Sequence, residues 1–334
     1  MIQAANPDDD KWRVDDEKIK RLVERKDGNV SLTLNEIVAL ERFFSQQGEG
    51  ANQKGFFERN MLDPIAHSGR VCFILGAAKD GDGVFNVVRR WDTQALAEII
   101  TVLTSEHGRL EVEVKDEVRD GAHVNSRLDE QVWHQYLHRK QTASSLISIG
   151  SPLANPASEC ILAAMCCVQP FVRPKQELPF YFVWPSQVTP PFPSAFALTV
   201  SELENRHMAA AKWVKETQRG LLYLPRDKTY LSTRLKENGK AHALLVGQRR
   251  VNGQVLLVVA GVSGPGTLGA ARFLASESFP LPEPISDERD GNVWAGIVAA
   301  EVRRQPHHRG DEAEVSYPEL VKWFELPGTS VSGS

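Results

Sequence analysis

Runs of consecutive hydrophobic residues alternate with amphipathic stretches along most of the chain. Largely apolar runs at residues 70–78, 145–150 and 255–261 predict strands that are buried on both faces. Each run is followed by a stretch with helix-like spacing of its apolar residues, and the first two predicted helices cover 93–104 and 157–168. The pattern is therefore typical of strands that alternate with helices.

The second half of the chain adds elements of another kind. Asn252 and Gly253 separate two apolar runs, which predicts a β-hairpin and hence an antiparallel element. A last strand is predicted for 292–304 and a short terminal helix for 317–326. The polar residues 198–240 show no pattern that orders them into elements.

Together these elements favour an α/β fold with a mainly parallel, Rossmann-like sheet and helices on both faces. A smaller N-terminal α/β region with a helical start would precede it. We expect a helical and β-α-β region at 1–140 that serves as a partner, output or dimer element. The ligand-binding domain would cover 141–310, and a terminal helix with a disordered tail would cover 311–334.

Composition places the chain among ordinary globular proteins. It has 334 residues, a formal net charge of -4 and 42% hydrophobic residues. No apolar run reaches the roughly 18 residues that span a bilayer, and the first residues lack the pattern of a signal peptide. We therefore expect a cytoplasmic protein without membrane contact, with its cysteines reduced and buried, and with no broad basic face for DNA.

The strand at 255–261 runs into a corner of small residues, "GVSGPGTLGAA". Gly264 and Gly266 let the backbone turn sharply and let other atoms come close, and Thr267 is the predicted N-cap of the following helix. Backbone N–H groups at the start of a helix favour negative charge. The corner therefore predicts a site for an anion such as a phosphate, and packing alone is the alternative.

Three catalytic or nucleotide-binding motifs fit this corner incompletely. The GxGxxG spacing lacks an acidic residue about 20 positions on, and the Walker-like spacing lacks its lysine. The stretch GVSGP, with Ser263 at its centre, begins like the nucleophile elbow G-x-S-x-G, but Pro265 stands where the last glycine belongs. Asp290 and His307 follow Ser263 in the chain order of α/β-hydrolases. A serine hydrolase is therefore an alternative function, and whether the chain is an enzyme stays open.

A second corner follows the strand at 145–150. Gly150 and Ser151 end that strand, Asn155 is a predicted N-cap, and Pro156 suits the first helical position. If the two strands are parallel and close, both corners lie at one edge of the sheet, where α/β proteins bind ligands.

The two corners resemble the signature segments of CARF domains, the CRISPR-associated Rossmann-fold sensors. The matching residues are Gly150, Ser151 and Pro152 in the first segment and Ser263, Gly264, Gly266 and Thr267 in the second. This chain departs from the family pattern because no lysine follows Thr267 and Pro265 is inserted. The resemblance covers residues 142–305 and implies binding of a cyclic oligonucleotide at a dimer interface, with the signal passed to an attached domain.

Other candidate residues are few. Arg272, one turn into the glycine-corner helix, could reach a bound anion, and "VVRRWD", with Arg89 to Trp91, could grip a phosphate or stack on a base. His134 and His138 lack a third ligand at metal-binding spacing, so we expect no metal site and no cofactor.

The sequence thus predicts a sensor or binding module for an anionic, nucleotide-like small molecule that signals to a partner or attached domain. Its ligand would be held by the residues of the two corners and by Arg272: Gly150, Ser151, Asn155, Ser263, Gly264, Gly266, Thr267 and Arg272. We expect a homodimer, and a protein partner is a further option. A ligand-responsive DNA-binding regulator, with helices at 15–50 reading DNA, is the third alternative, although the second of those helices is acidic.

Overall fold

The computed structural model of the chain places two sheets and five helices among the residues that it describes. The described residues are 2–3, 13–14, 61–79, 86–107, 110–118, 137, 144–187, 193–205, 219–223, 229–233, 238–276, 281–283, 290–304, 313–316 and 318–326. A further pair of two-residue strands, β1 and β2, lies near the start of the chain.

The helices and strands are numbered in chain order. The strands are β1 (Ile2–Gln3), β2 (Arg13–Val14), β3 (Arg70–Lys79), β4 (Asn86–Val88), β5 (Glu111–Val118), β6 (Ser145–Ile149), β7 (Phe180–Trp184), β8 (Ala197–Thr199), β9 (Arg219–Tyr223), β10 (Thr229–Thr233), β11 (Asn238–Arg249), β12 (Val255–Gly261), β13 (Val293–Arg304), β14 (Ala313–Val315) and β15 (Glu319–Leu326). The helices are α1 (Asp63–His67), α2 (Arg90–His107), α3 (Pro156–Met165), α4 (Val200–Asn205) and α5 (Gly264–Ser276).

The larger sheet has nine strands and a mixed topology. Its central path runs β14-β13-β11-β12-β6-β3-β4, with β15 added to β13 and β5 added to β3. Only the pairs β12–β6, β6–β3 and β3–β5 are parallel. The other pairs of this sheet are antiparallel. The second sheet, in the order β10-β9-β7-β8, is antiparallel except for its β7–β8 pair.

Side chains of the large sheet alternate between two hydrophobic layers. Along β3, Phe73 and Leu75 face the layer that contains α1, α2 and α5, whereas Cys72 and Ile74 face the layer of α3 and the second sheet. All four are buried. The central strands therefore lie between two packed layers and need to be apolar on both faces.

The expectation of a mainly parallel Rossmann-like sheet with helices on both faces is wrong. Most strand pairs are antiparallel, and the second sheet covers much of the face where helices were expected. A strand between two apolar layers is a continuous hydrophobic run in either orientation, so the runs could not distinguish the two topologies. The covering sheet draws two strands, β9 and β10, from 198–240, where short strands between polar loops gave no readable pattern.

The terminal helix predicted at 317–326 is also wrong. Residues Glu319–Leu326 form β15, which pairs with β13, because Leu320, Phe324 and Leu326 alternate with exposed positions at a period of two. The hairpin at Asn252-Gly253 is confirmed, with β11 and β12 antiparallel on either side of it.

Several expectations concern residues outside the described ranges, among them the helices at 15–50 and the histidine pair His134 and His138. The division at residue 140 stays a prediction, and β3 and β6, which lie on either side of it, pair in one sheet. None of the helices in the described ranges has the length and hydrophobicity needed to cross a bilayer. The four cysteines form no disulfide; Cys72 and Cys160 are buried as expected, whereas Cys167 is exposed.

Candidate functional site

The two corners meet at one edge of the large sheet. Strands β6 and β12 are parallel, hydrogen-bonded neighbours, with Ile149 opposite Val259, so both chains leave the sheet at the same end. The N–H of Gly150 donates to the carbonyl of Val259 at 2.9 Å. We call this edge, formed by Gly150–Ser151 after β6 and Val262–Gly264 after β12, the carboxyl rim.

Asn155 faces the protein interior and not the carboxyl rim. Its amide donates to the carbonyls of Ile74 and Ile149 and to the Ser148 hydroxyl, at 2.9 to 3.0 Å. Its side-chain oxygen accepts the N–H of Ala157, which confirms the predicted N-cap of α3. Asn155 is completely buried, and both donors of its amide are engaged within the protein. The side chain ties α3 to β3 and β6 in the way that a structural residue does.

The first corner is tightly folded around Gly150. Gly150 has φ of +116°, a conformation that residues with a side chain rarely adopt. Its carbonyl accepts the Ser158 hydroxyl at 2.7 Å, and the carbonyl of Ser151 accepts the N–H groups of Ala154 and Asn155. The glycine is therefore required by the backbone at this point of the carboxyl rim.

Each glycine of the second corner marks a close contact. A Cβ atom on Gly264 would lie 2.2 Å from Cδ1 of Trp91, and one on Gly266 would lie 2.6 Å from the carbonyl oxygen of His242. A Cβ atom on Gly269 would lie 2.5 Å from the Cβ atom of Ala300. The spacing GPGTLG thus allows α5 to pack directly on α2, β11 and β13, and Trp91 covers the start of the helix.

Ser263, and not Thr267, precedes the first turn of α5. The Ser263 hydroxyl accepts the N–H of Gly266 at 3.4 Å, and its carbonyl accepts the N–H of Thr267 at 3.0 Å. The expectation that Thr267 caps this helix is therefore wrong, because the helix begins three residues earlier. The Thr267 hydroxyl accepts the N–H of Gly261 at 3.2 Å and is buried. Of the two side chains, Ser263 is the one that stays half-exposed at the carboxyl rim.

The remaining predicted site residues do not gather at the carboxyl rim. Arg272 donates to Glu98 at 2.9 Å and to the carbonyl of Val315 at 2.6 Å, so it ties α5 to α2 and β14. Asp290 accepts the N–H of Val251 at 2.9 Å.

Val251 lies in the hairpin before β12, and Ser263 lies just after that strand. Asp290 and Ser263 are therefore at opposite ends of β12, and the structure does not bring this pair of the hydrolase set together. His307, the third member, lies outside the described residues.

An acidic residue that the sequence did not single out faces the carboxyl rim. Asp92 lies in the first turn of α2, and its carboxylate is 3.7 Å from the position that a Cβ atom on Gly150 would occupy. Its residue exposure is only 3%. Burial raises the pKa of Asp92 to about 6, against the opposing charge of Arg89. A carboxyl group with a strongly perturbed pKa at a sheet edge is a typical feature of a functional site.

Two arginines from different layers approach the same place. Arg89 immediately precedes α2, and Arg219 begins β9 of the second sheet. Burial first, and the charge of Arg89 second, lower the pKa of Arg219. Neither guanidinium forms an ion pair with a described carboxylate, and both arginines are exposed. Two like charges that act on each other favour a bound anion, and Arg89 acts on the Asp92 carboxylate as well.

Aromatic and polar groups continue this surface on the second sheet. The guanidinium of Arg219 stacks on the ring of Trp184 at 4.5 Å, and the buried indole N–H of Trp184 has no hydrogen-bond partner among the described residues. Thr233 pairs with Arg219 across the strands, and its hydroxyl accepts the N–H of His242 at 3.2 Å. Burial, and then the charge of Lys240, lower the pKa of His242, which favours the neutral form of its ring.

The segment "VVRRWD" is a candidate because of its charge and its aromatic ring, but its pattern gives Asp92 no role. Only the tertiary packing of α2 on the carboxyl rim buries that carboxylate, so no local pattern could reveal it. Arg219 and Trp184 were missed because their strands lie in a sheet that the sequence did not predict. Within the described ranges no group of three metal-binding side chains occurs. Comparison with models of known protein families, with curated proteins and with solved structures gave no significant match.

Proposed function

We propose that the protein is a binding module for an anionic, nucleotide-like small molecule, and that this ligand binds at the carboxyl rim. Two contact chains carry the proposal. The Asp92 carboxylate lies beside Gly150, with Arg89 just before its helix. Arg219 pairs with Thr233, which binds His242, and the His242 carbonyl accepts the N–H of Val262 at the end of β12. In sheets with parallel strands, ligands bind beyond the carboxyl ends of those strands. The ligand class is that expected from the sequence, but most of the proposed contacts come from different residues.

Charge supports the choice of an anion. The two guanidinium groups come from the residue before α2 and from the second sheet, and neither forms an ion pair within 4 Å of a described carboxylate. A phosphate or phosphodiester between them would accept charge-assisted hydrogen bonds from both sides. The half-exposed hydroxyl of Ser263 is a third donor on the same rim.

The aromatic surface supports a flat group next to the anion. The ring of Trp184 and the guanidinium of Arg219 already stack, which is the arrangement that base recognition uses. The N–H of Trp184, which binds no described residue, would donate to a ligand oxygen or ring nitrogen. Cyclic oligonucleotides combine both chemical features, as do mononucleotides.

Thermal-shift measurements test the proposal with inorganic phosphate, sugar phosphates, mononucleotides and cyclic dinucleotides or larger cyclic oligonucleotides as probes. We expect at least one nucleotide to raise the melting temperature in proportion to its concentration, because binding to the folded state alone stabilises it. Calorimetry would then give the affinity of that nucleotide for the wild type, Arg89→Ala and Arg219→Ala. Each variant should weaken binding by about tenfold or more, the loss expected for one charge-assisted contact.

Arg70→Ala is the matched control. Arg70 is an exposed arginine that pairs with Glu111 at 2.9 Å at the opposite end of β3, so its loss should leave the affinity unchanged. The absence of stabilisation by every probe at millimolar concentration would overturn the proposal. Equal effects of Arg70→Ala and Arg219→Ala would do so as well, because they would indicate nonspecific attraction of anions.

Signalling to a partner or an attached domain, and assembly into a homodimer, stay predictions. The DNA-binding alternative rests on residues outside the described ranges. The hydrolase alternative gains no support from geometry, because Asp290 and Ser263 lie at opposite ends of β12.

A further inference from the structure

Two buried carboxylates in this protein have opposite surroundings. Glu159 in α3 is completely buried and accepts the N–H groups of Phe171 and Ala195 and the hydroxyl of Ser194, at 2.6 to 3.1 Å. Its donors identify it as a structural residue that holds two loops on α3. Asp92 is almost as buried, yet its carboxylate accepts no hydrogen bond from any described residue.

A carboxylate this buried, to which no described residue donates, is costly to keep ionised, so its retention needs an explanation. Asp92 is also held in place, because its neighbour Trp91 packs on Gly264 and Glu98 of the same helix binds Arg272. The carboxylate faces the bend at Gly150, where the other nearest side-chain atoms to the Cβ position are Cβ of Asn155 and Cβ of Ala154, at 3.4 and 3.9 Å, and neither is a donor. A donor for Asp92 can therefore come from a molecule that enters the carboxyl rim.

We infer that Asp92 accepts a hydrogen bond from a hydroxyl or amino group of the bound ligand, and thereby selects nucleotides over simple phosphate anions. This inference rests on the proposed function, since the anion would be held by Arg89 and Arg219 beside Asp92. A ribose hydroxyl or an exocyclic amine is a donor without charge of its own, whereas the P–OH donors of inorganic phosphates belong to an anion that the carboxylate repels. Asp92 would repel such an anion and accept a donor.

The surroundings of Asp92 also make the selection depend on pH. The charged group that acts on Asp92 is Arg89, just before its helix, and Arg89 in turn acts on Arg219. The described residues of the bends after β6 and β12 contribute no titratable side chain. Above pH 6 the group is mainly ionised and accepts strongly. Below pH 6 it is mainly protonated, accepts weakly and no longer repels an anion.

Calorimetry with adenosine triphosphate and inorganic triphosphate separates the contribution of Asp92 from that of the two arginines. The wild type at pH 7.5 should bind adenosine triphosphate at least tenfold more tightly, since a hydrogen bond to a charged group is worth about that factor. This preference should shrink between pH 7.5 and pH 5. Asp92→Asn should remove most of the preference and its pH dependence, while Arg219→Ala should weaken both probes.

The outcomes distinguish the two proposals. Binding of both probes with equal affinity, unchanged by Asp92→Asn, would overturn the role of Asp92 and leave the anion site standing. If neither probe binds, both the proposed anion site and the role of Asp92 are overturned for nucleotide-like ligands. Glu159→Gln is the comparison for a structural carboxylate: it should lower the melting temperature and leave the preference between the probes as it is. A melting curve verifies that each variant is folded at the temperature of the titration.

Discussion

Trp91 lies directly on Gly264, so that a Cβ atom at Gly264 would be 2.2 Å from the indole Cδ1. This contact explains why the corner between β12 and α5 consists of such small residues. It also changes the expected binding mode, because an aromatic ring covers the helix start that had been expected to face the ligand. Trp91 thereby positions the first turn of α2, which carries Asp92, at the carboxyl rim.

Gly264→Ala should destabilise the protein by about 1–3 kcal/mol, the usual effect of overpacking a tight contact. The measurement is urea unfolding of the wild type, Gly264→Ala, Trp91→Ala and the double variant. Because removal of the indole removes the clash, Gly264→Ala should have a much smaller effect in the Trp91→Ala background. Strictly additive changes in the free energy of unfolding would show that the Trp91 indole does not clash with a Cβ atom at position 264.

Asn155→Ala should destabilise the protein by about 3 kcal/mol, because it removes the N-cap of α3 and leaves buried acceptors on β3 and β6 without their donors. Nucleotide affinity of the folded variant should stay within a factor of about three of the wild type, a small change on the affinity scale. A normal stability with a large loss of affinity would instead support the expectation from sequence that Asn155 contacts the ligand.

Cys167→Gly should stabilise the protein by about 1 kcal/mol. Cys167 has φ of +52° just after α3, where the N–H of Val168 donates to the carbonyl of Ala163 at 3.0 Å. This helix ending favours glycine, and the exposed thiol has no packing to lose. Cys167→Ala removes the same thiol but keeps a Cβ atom, so it should give no increase in melting temperature. If both variants raise the melting temperature by a similar amount, the loss of the thiol, and not the backbone conformation, explains the stabilisation.

Asp92→Asn should stabilise the protein increasingly as the pH rises. Its pKa is raised from 3.8 to about 6 on folding, so the folded state binds the proton more tightly than the unfolded state. The stability gained from this proton is complete below pH 3.8 and is lost as the pH rises through 6, a total of ~3 kcal/mol. Between pH 5 and pH 7.5 the wild type should therefore lose about 1–2 kcal/mol relative to Asp92→Asn in urea unfolding. A constant difference across this range would show that Asp92 has an ordinary pKa.

The sequence was sufficient for the features that depend on local patterns. The runs at β3, β6 and β12, the hairpin at Asn252 and the cap at Asn155 all carry local signals, and two of the parallel strands were expected to place their corners together. Strand direction carries no such signal in a sheet covered on both faces.

The candidate site depends on packing between distant segments. Asp92 is acidic in the first turn of a helix, which is an ordinary solvent-exposed position until the carboxyl rim covers it. Arg219 reaches the same edge only because an unpredicted second sheet packs there. No spacing within the chain could have related these two residues.

The most direct test of the account is a crystal structure of the protein with the nucleotide that stabilises it most. We expect the phosphate group between the guanidiniums of Arg89 and Arg219, and a hydroxyl or amino group of the ligand within about 3 Å of the Asp92 carboxylate, the usual hydrogen-bond distance. A nucleotide bound elsewhere, with Asp92 still lacking a donor, would contradict the central claim.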